Sequence, residues 1–307
     1  MNHDIYLLYN LISMIRHLTL CLLIIARLIV AIEVIFTPMS AIDIVSILER
    51  AEYSISICTF SIDEPSIIKS LEGAVKRGVD VKVISETPLY ASNIPLKIDA
   101  ESSLFHLKVI LVDQKISIIG SANFTSHSIQ RSFNDILIIN DPNMGAKFQN
   151  FFDDLWNGFF GKIRLRSDDL YATTTNIEET VLCELSKAKK SVDVAMYALT
   201  HPSVWATLKI LSSKKIRVRL LVDEWFLNNS NLCKLPFTAI QTRVIRDMTL
   251  HSKLFIIDGK TVLTGSANAT KSGYSRNAEM LIVLKNRNVL KKYMEYFETI
   301  WERGEPF

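Results

Sequence analysis

The chain has 307 residues, with 35 lysines and arginines against 32 aspartates and glutamates, a formal net charge of +3, and four cysteines. A chain of this length would by the usual size of domains hold about two of them. The small net charge does not by itself indicate a polyanionic partner. The cysteines lack CxxC spacing and histidine neighbours at zinc-site intervals, so the sequence predicts no metal and no disulfide framework.

Residues 1–30 are more apolar than the rest, but Arg16, His17 and Arg27 interrupt them. A transmembrane helix needs about 20 mainly apolar residues, and a central arginine costs about 2.5 to 3.5 kcal/mol. We therefore predict a marginal membrane anchor here, with two alternatives left open. One is a signal-like leader without a convincing cleavage site, and the other is an extension packed on the domain. The matching prediction for location is membrane-associated or cytoplasmic.

From residue 31 onward the pattern alternates strands and helices. In chain order it predicts a strand over residues 31–37, a helix through Ile44, Ile47, Leu48 and Ala51, a strand over 53–60, a helix from Pro65 to Gly78, and a strand over 79–84. Pro38 ends the first strand because proline has no N–H to donate to a sheet. Pro65 and Gly78 stand at the preferred start and stop positions of a helix. This βαβ pattern predicts an α/β fold.

The second half repeats the pattern of the first. In chain order it predicts a helix over residues 177–188, a strand over 191–199, a helix over 202–211 and a strand over 216–222. Each half continues with a strand that begins on an acidic residue, at 135–140 and at 279–284, and with a helix that ends near Trp156 or Trp301. We predict a hydrophobic segment at 1–30, a first domain at 31–160 and a second at 161–307.

One unusual string occurs once in each half. His106-x-Lys108 is followed by four residues and Asp113, then by Gly120-Ser121-Ala122-Asn123; His251-x-Lys253 is followed by Asp258, then by Gly265-Ser266-Ala267-Asn268. The offset is 145 residues both from His106 to His251 and from Gly120 to Gly265. A repeat of this length is a duplicated domain, since solenoid repeats are only about 20 to 50 residues long. Each motif reads as a strand, a two-residue turn and a return strand.

The residue types of the motif suit a phosphate group. Residues two apart on a strand share a face, so each histidine lies beside the lysine of its own motif. A histidine next to a fixed positive charge can attack phosphorus or transfer a proton. The serine hydroxyl and asparagine amide can donate hydrogen bonds to phosphate oxygens. Phosphoryl transfer depends mainly on positioning and on stabilising charge on those oxygens, which this set could supply without a metal.

The pattern HxKx4D followed by GSxN resembles that of the phospholipase D superfamily, in both halves. The resemblance implies two tandem α/β sandwich domains related by a pseudo-twofold axis, with one active site where the motifs meet. It implies that His106 attacks phosphorus to form a phosphohistidine and that His251 is the general acid and base. The residues implied to hold phosphate are Lys108, Lys253, Asn123, Asn268, Ser121 and Ser266. No cofactor is implied.

The resemblance also implies an acidic residue after each GSxN segment that orients a histidine. Glu279 fits this role in the second half. The first half departs from the pattern, because Phe133-Asn134-Asp135 stands where the second half has Asn277-Ala278-Glu279. Asp135 is the predicted counterpart of Glu279. Asp113 and Asp258, at the ends of their strands, are predicted to be structural or turn-forming residues.

Three functions compete. The first is a metal-independent phosphodiesterase that hydrolyses or transfers a phosphatidyl group, with a lean toward lipid that rests on residues 1–30. The second is a compact nuclease, for which a groove would be lined by Lys187, Lys189, Lys190, Lys214, Lys215, Arg217 and Arg219. The third is an inactive binding module, which the intact histidines and lysines argue against. A single chain would suffice for one site. Trp225 is the tryptophan most worth testing as a substrate platform.

Overall fold

Two sheets of similar topology organise the chain. The computed structural model describes residues 31–91, 93–159, 161–230 and 240–307. The hydrophobic segment 1–30, predicted as an anchor, lies outside the described residues. Within the described part, no helix combines the length and the apolar character needed to cross a bilayer. Residues 32–307 form one compact unit, which contains both motifs.

The first half forms a seven-stranded sheet. Its elements are β1 (Ala31–Phe36), α1 (Ile42–Glu49), β2 (Ser54–Thr59), α2 (Pro65–Lys76), β3 (Asp80–Ser85), β4 (Leu96–Ile98), β5 (Lys108–Val112), β6 (Ile116–Gly120), α3 (Ser126–Gln130), β7 (Ser132–Phe133), β8 (Asp135–Asn140) and α4 (Pro142–Trp156). The strand order is β1-β8-β6-β5-β2-β3-β4. Strands β2 and β3 are parallel, and the central strand β5 runs antiparallel to β2 and β6.

The second half forms a nine-stranded sheet. Its elements are β9 (Arg164–Arg166), β10 (Leu170–Thr173), α5 (Ile177–Ser186), β11 (Ser191–Met196), α6 (Pro202–Ser213), β12 (Arg217–Asp223), α7 (Glu224–Asn229), β13 (Gln241–Ile245), β14 (Thr249–Leu250), β15 (Lys253–Ile257), β16 (Thr261–Gly265), α8 (Lys271–Ser275), β17 (Leu281–Leu284), α9 (Arg287–Arg303) and β18 (Glu305–Pro306). The order is β18-β13-β12-β11-β15-β16-β17-β10-β9. The succession β12-β11-β15-β16-β17 repeats β3-β2-β5-β6-β8, which confirms the predicted tandem α/β halves.

Local sequence explains where the principal helices begin. Pro65 and Pro202 occupy the first turns of α2 and α6, where a missing N–H costs nothing. Asp141 caps α4 by accepting from the backbone N–H groups of Asn143 and Met144. Asn286 caps α9 in the same way. Each half then buries its own apolar cluster against these helices, so each half has a core of its own.

Two predicted strands differ from the structure by two or more residues at one end. The strand predicted over 191–199 stops at Met196, and the strand predicted over 279–284 begins at Leu281. The backbone leaves the sheet at Tyr197, whose N–H donates to the carbonyl of Ser252. Glu279 likewise precedes its strand. In both places the chain departs from the sheet at the point where its side chains enter the predicted site.

The halves pair with each other through two symmetric backbone contacts. Strands β14 and β7 pair in parallel, with Leu250 opposite Phe133. The equivalent bridge joins Phe105 to Ala278. The two pairs are equivalent, because Leu250 lies 145 residues after Phe105 and Ala278 lies 145 residues after Phe133. We call the line along which these backbone pairs join the two halves the seam. The two pairs are related by the pseudo-twofold axis, and they fix the positions of the residues that follow Phe105 and Leu250, which are the two histidines.

Candidate active site

The two histidines enter one seam from equivalent positions. The backbone N–H of His106 donates to the carbonyl of Ala278 over 2.9 Å, and that of His251 donates to the carbonyl of Phe133 over 2.9 Å. Each histidine is thus tied to the opposite half just before its own motif strand begins. The backbone contacts bring together side chains that lie 145 residues apart in the sequence.

His106 is paired with the carboxylate of Glu279 from the other half. Its Nδ1 lies 2.9 Å from both Oε1 and Oε2. The Ser266 hydroxyl donates to Oε2, and Asn277 Nδ2 donates to Oε1 over 3.3 Å. The sequence predicts that Glu279 orients a histidine, but it does not show which one. The structure shows that this histidine is His106, in the opposite half.

His251 has an amide partner instead of a carboxylate. Its Nδ1 lies 2.9 Å from Oδ1 of Asn134, again in the opposite half. The Ser121 hydroxyl donates to the same oxygen over 3.2 Å. Asn134 therefore occupies the place in the first half that Glu279 occupies in the second. The sequence predicts its neighbour Asp135 at that place.

Asp135, predicted as the counterpart of Glu279, lies away from the histidine rings. Its carboxylate accepts hydrogen bonds from the hydroxyls of Ser121, Thr264 and Tyr293, at 2.9, 2.5 and 2.7 Å. The correction has a simple cause, because adjacent residues of an extended chain point to opposite sides. The constant offset was the signal that could have found this, since 134 + 145 is 279.

The two serines of the GSxN segments form hydrogen bonds to these partner residues. Ser121 and Ser266 are fully buried. The Ser121 hydroxyl donates to Asn134 and Asp135, and that of Ser266 donates to Glu279. Phosphate binding by the two hydroxyls stays a prediction from the sequence. The preceding glycine is required because a Cβ on Gly120 would lie 2.1 Å from the carbonyl oxygen of Asp135.

The asparagines of the same segments keep their amides available. Asn123 and Asn268 are partly buried, and within the described residues neither Oδ1 has a hydrogen-bond partner. A buried amide oxygen without a partner is costly, and such groups commonly mark functional positions. An amide oxygen can only accept a hydrogen bond, so the group that would donate to a phosphate oxygen is Nδ2 of each side chain. Phosphate binding by the two asparagines stays a prediction from the sequence.

The two lysines are buried beside the histidines. Lys108 Nζ donates to the carbonyl of His106 over 3.0 Å, and Lys253 Nζ donates to that of His251 over 2.6 Å. Burial lowers the pKa of Lys108 to about 7. Burial, and then the charge of Lys108, also lowers the pKa of Lys253 well below its usual value. An anion that binds between the two ammonium groups would restore their protonation.

Burial pushes the other ionisable groups of the site toward their neutral forms. It lowers the pKa of both histidines well below the usual value, and the two lysine charges lower them further. Burial raises the pKa of Glu279 to about 8, against the opposing charge of Lys108. It also raises the pKa of Asp135. Clusters of carboxyl, imidazole and amino groups with perturbed pKa values are typical of active sites.

Aromatic rings that the sequence did not single out flank the two histidines. The ring of Phe60 meets His106 edge-on at 5.6 Å between centroids, and that of Tyr197 lies 5.3 Å from His251. Trp225, selected for testing, stacks on Tyr197 at 5.3 Å. The His251 side therefore has two stacked rings where the His106 side has one. Sequence carried no local signal for Phe60 or Tyr197, because each simply ends a buried strand.

The aspartates of the motifs stand apart from the histidines and organise turns. Asp113 accepts from the backbone N–H groups of Glu52, Tyr53 and Ser54, at 3.0, 2.7 and 2.9 Å. Asp258 accepts from those of residues 189–191. Burial acts to raise the pKa of both carboxyls, but three backbone donors outweigh it and the pKa values lie below the usual range. This placement agrees with the predicted structural role.

Two of the basic residues considered for a nucleic-acid groove are held in ion pairs. Arg219 is buried and pairs with Asp193 and Glu298 at 2.6 and 2.7 Å. Lys187 pairs with Glu184.

Over the described ranges, no group of three or more histidine, cysteine, aspartate or glutamate side chains has the arrangement to hold a metal ion.

Comparison with known proteins matches both halves to one family. The family model described as cardiolipin synthase, PLD-like domain, matches residues 44–156 and 181–301. Mouse mitochondrial cardiolipin hydrolase is 30% identical over 129 residues, which cover 41% of this chain and 58% of that protein. A phospholipase D of Rickettsia prowazekii is 29% identical over 118 residues, covering 38% of this chain and 58% of that one. The chain thus spans less than two thirds of these relatives.

Solved structures share the fold across both halves. Phosphatidylserine synthase of Haemophilus influenzae superposes with a TM-score of 0.70 at 13% identity, over 89% of this chain and 87% of that one. Polyphosphate kinase of Porphyromonas gingivalis gives a TM-score of 0.69 at 16% identity, over 88% and 47%. These identities establish the fold alone. With both motif copies inside the matched ranges of the family model, the chain belongs to the phospholipase D superfamily.

Proposed function

We propose that the protein is a metal-independent phosphodiesterase that acts through a phosphohistidine, with phospholipid as its substrate. The observation that carries this proposal is the pairing across the seam, in which each histidine is held by a residue of the opposite half. Two imidazoles held in this way can act on a common phosphorus from opposite sides. Covalent catalysis with a second group that donates and then accepts a proton requires such a pair.

His106 is the proposed nucleophile. When the Nδ1–H of its ring donates to Glu279, the Nε2 lone pair is free to attack phosphorus. As the Nε2–P bond forms, the bond from phosphorus to the leaving oxygen breaks, and the ring acquires positive charge. The carboxylate of Glu279 stabilises that charge, in the way that a buried aspartate stabilises the imidazolium of serine proteases.

His251 is the proposed general acid and base. In the first step it gives a proton to the leaving oxygen. In the second step it takes a proton from a water molecule, whose oxygen attacks phosphorus and releases Nε2 of His106. An alcohol in place of water would give transfer of the phosphatidyl group. Lys108, Lys253, Asn123 and Asn268 would hold the non-bridging oxygens, where charge accumulates in the transition state.

Phospholipid is the proposed substrate class because several curated relatives carry lipid names. These are the mitochondrial cardiolipin hydrolases, at 26–30% identity, and the phospholipase D proteins of Rickettsia. One chain would form the site, and membrane association through residues 1–30 is part of the proposal. Cleavage of DNA or RNA stays the alternative, and it is one outcome of the test below.

The test uses the full chain in the presence of a chelator. His106→Ala and His251→Ala are each expected to lower hydrolysis of an aryl phosphodiester at least 1,000-fold, a loss on the scale that removal of a nucleophile or its base produces. The matched control is His127→Ala, since His127 is an exposed histidine of the same half as His106. Wild-type activity in either site variant would refute the shared site.

A substrate panel separates the two substrate classes. Vesicles that contain cardiolipin, phosphatidylcholine and phosphatidylglycerol are compared with single-stranded and double-stranded DNA. Release of headgroup or phosphatidic acid without cleavage of DNA would support the lipid proposal. Cleavage of DNA without lipid hydrolysis would refute it and establish the nuclease.

A further inference from the structure

We propose that Asn134 is the positioning residue of His251, and that Asn134 and Asp135 divide between them the two tasks that Glu279 performs alone in the other half. Asn134 orients the ring, and Asp135 supplies the negative charge that balances the lysine. The proposal rests on the proposed function, because it gives the two histidines unequal chemical roles.

The equivalence of Asn134 with Glu279 follows from the backbone register. The N–H of Asp135 donates to Ser121 Oγ, and the N–H of Met280 donates to Ser266 Oγ, both over 3.0 Å. Asp135 therefore corresponds to Met280, and the residue before it corresponds to Glu279. In the first half the carboxylate lies one residue further along the chain, and an amide occupies the vacated place.

The contacts of Asn134 fix the orientation of its amide. Its Nδ2 donates to the carbonyl of Ser128 over 3.0 Å and to the hydroxyl of Thr37 over 3.3 Å. A carbonyl can only accept, so the nitrogen must lie on that side. The oxygen then faces His251, and it can only accept the ring's Nδ1–H. His251 is thereby held as the tautomer with a bare Nε2 when it is neutral.

Among the described residues, no carboxylate contacts His251 to hold a second proton on its ring. The charged and titratable groups that face the ring are Lys253 of its own motif and Lys108 and His106 from the other half, with Tyr197 packed beside it. Both lysines disfavour the imidazolium. His251 consequently gains its proton only when a phosphodiester anion occupies the seam, and it then gives that proton up readily. Glu279, by contrast, contacts the ring of His106 with both carboxyl oxygens, and in its ionised form it can support positive charge there.

Asp135 supplies the charge that Asn134 lacks. It is fully buried among three hydroxyl donors. The negative charge of Glu279 favours the protonated form of both lysines, and that of Asp135 adds to it at Lys253. Asp135 thus contributes buried negative charge beside Lys253, although only His106 has a carboxylate in contact with its ring.

The test that needs no substrate is an NMR titration of the imidazole nitrogens in the 15N-labelled full chain. In the wild type, His251 is expected to be neutral at pH 7 with a proton on Nδ1 and none on Nε2. Asn134→Asp is expected to raise the titration midpoint of His251 by about 1 to 3 pH units, the size of shift that an adjacent opposite charge produces. The matched control is Asn140→Asp, at the exposed end of strand β8, which begins one residue after Asn134.

A wild-type His251 with its proton on Nε2 would overturn the proposal, and so would an unchanged midpoint in folded Asn134→Asp. If that variant does not fold, the wild-type tautomer decides. Asp135→Asn is expected to weaken sulfate binding at least tenfold and to leave the His251 tautomer unchanged. Sulfate binding equal to that of the wild type would overturn the part assigned to Asp135.

Kinetics supply the readout that a purely structural role would not move. Asn134→Ala is expected to slow hydrolysis of a phosphodiester that releases methanol at least tenfold more than hydrolysis of one that releases nitrophenolate, because nitrophenolate departs without a proton. Equal losses would overturn the assignment of Asn134 to the acid. If the wild type hydrolyses no phosphodiester, the proposed function fails, while the titration still decides the orientation and charge of His251.

Discussion

Replacing Glu279 by glutamine tests how His106 becomes a nucleophile. Both carboxylate oxygens lie 2.9 Å from Nδ1 of His106, and the Ser266 hydroxyl and Asn277 Nδ2 donate to them from the other sides. Glutamine keeps the volume but removes the negative charge, and it turns one of two acceptors into a donor. The ring keeps at most one hydrogen bond, and its developing positive charge loses its counter-charge.

The size of the loss follows from two limits. Losing the charged character of a hydrogen bond costs about 1.5 to 3 kcal/mol. Losing the whole interaction of two unit charges about 4 Å apart costs about 4 kcal/mol at an effective dielectric constant of about 20. The expected loss of about 2 to 4 kcal/mol in transition-state stabilisation corresponds to roughly 30- to 1,000-fold in kcat/KM.

The assay is steady-state hydrolysis of an aryl phosphodiester, with circular dichroism and a thermal midpoint to establish that the variant is folded. The control is Glu302→Gln, because Glu302 is an exposed carboxylate, with 75% of its side chain accessible. Its kcat/KM should equal that of the wild type. A folded Glu279→Gln enzyme within twofold of the wild type would show that the carboxylate does not support the nucleophile.

Three further predictions concern the turn, the aromatic rings and the lysines. Asp258→Ala should lower the free energy of unfolding by about 2 to 4 kcal/mol, because three backbone donors lose their acceptor; urea unfolding measures this, and a loss below about 0.5 kcal/mol contradicts it. Trp225→Ala should raise KM for the natural substrate about tenfold and spare a small aryl diester; equal effects on both would place Trp225 outside the binding site. Sulfate binding should take up protons and weaken as pH rises above 7, because the pKa of Lys108 is about 7 in the empty site and only the protonated form attracts the anion; calorimetry in two buffers would detect no proton uptake if this is wrong.

The duplication made much of the fold predictable from the sequence. Apolar runs with proline and glycine at their ends located most of the strands and helices, and the offset of 145 residues showed that the halves are copies. His106, Lys108, His251 and Lys253 were found because the same residue types recur at the same spacing. A pattern that occurs twice constrains both copies.

The partners of the histidines were harder to predict because they depend on contacts between the halves. Asp135 was chosen for its charge, whereas the register places Asn134 against His251. Ser121 and Ser266 can bond phosphate or a neighbouring side chain equally well by chemistry, and only their burial shows that they hold Asn134 and Glu279. The first outcome depends on a contact between the halves, and the second depends on which hydroxyls are buried within their own half.

The central claim is that His106 attacks phosphorus while His251 transfers the proton. A bis(nitrophenyl) phosphate substrate tests it most directly in His251→Ala, since nitrophenolate leaves without a proton but hydrolysis of the adduct still needs the base. We expect a burst of one nitrophenolate per chain and, by peptide mass spectrometry, a nitrophenyl phosphoryl group on His106. An adduct on His251 of the wild type, or an active enzyme without any covalent adduct, would contradict it.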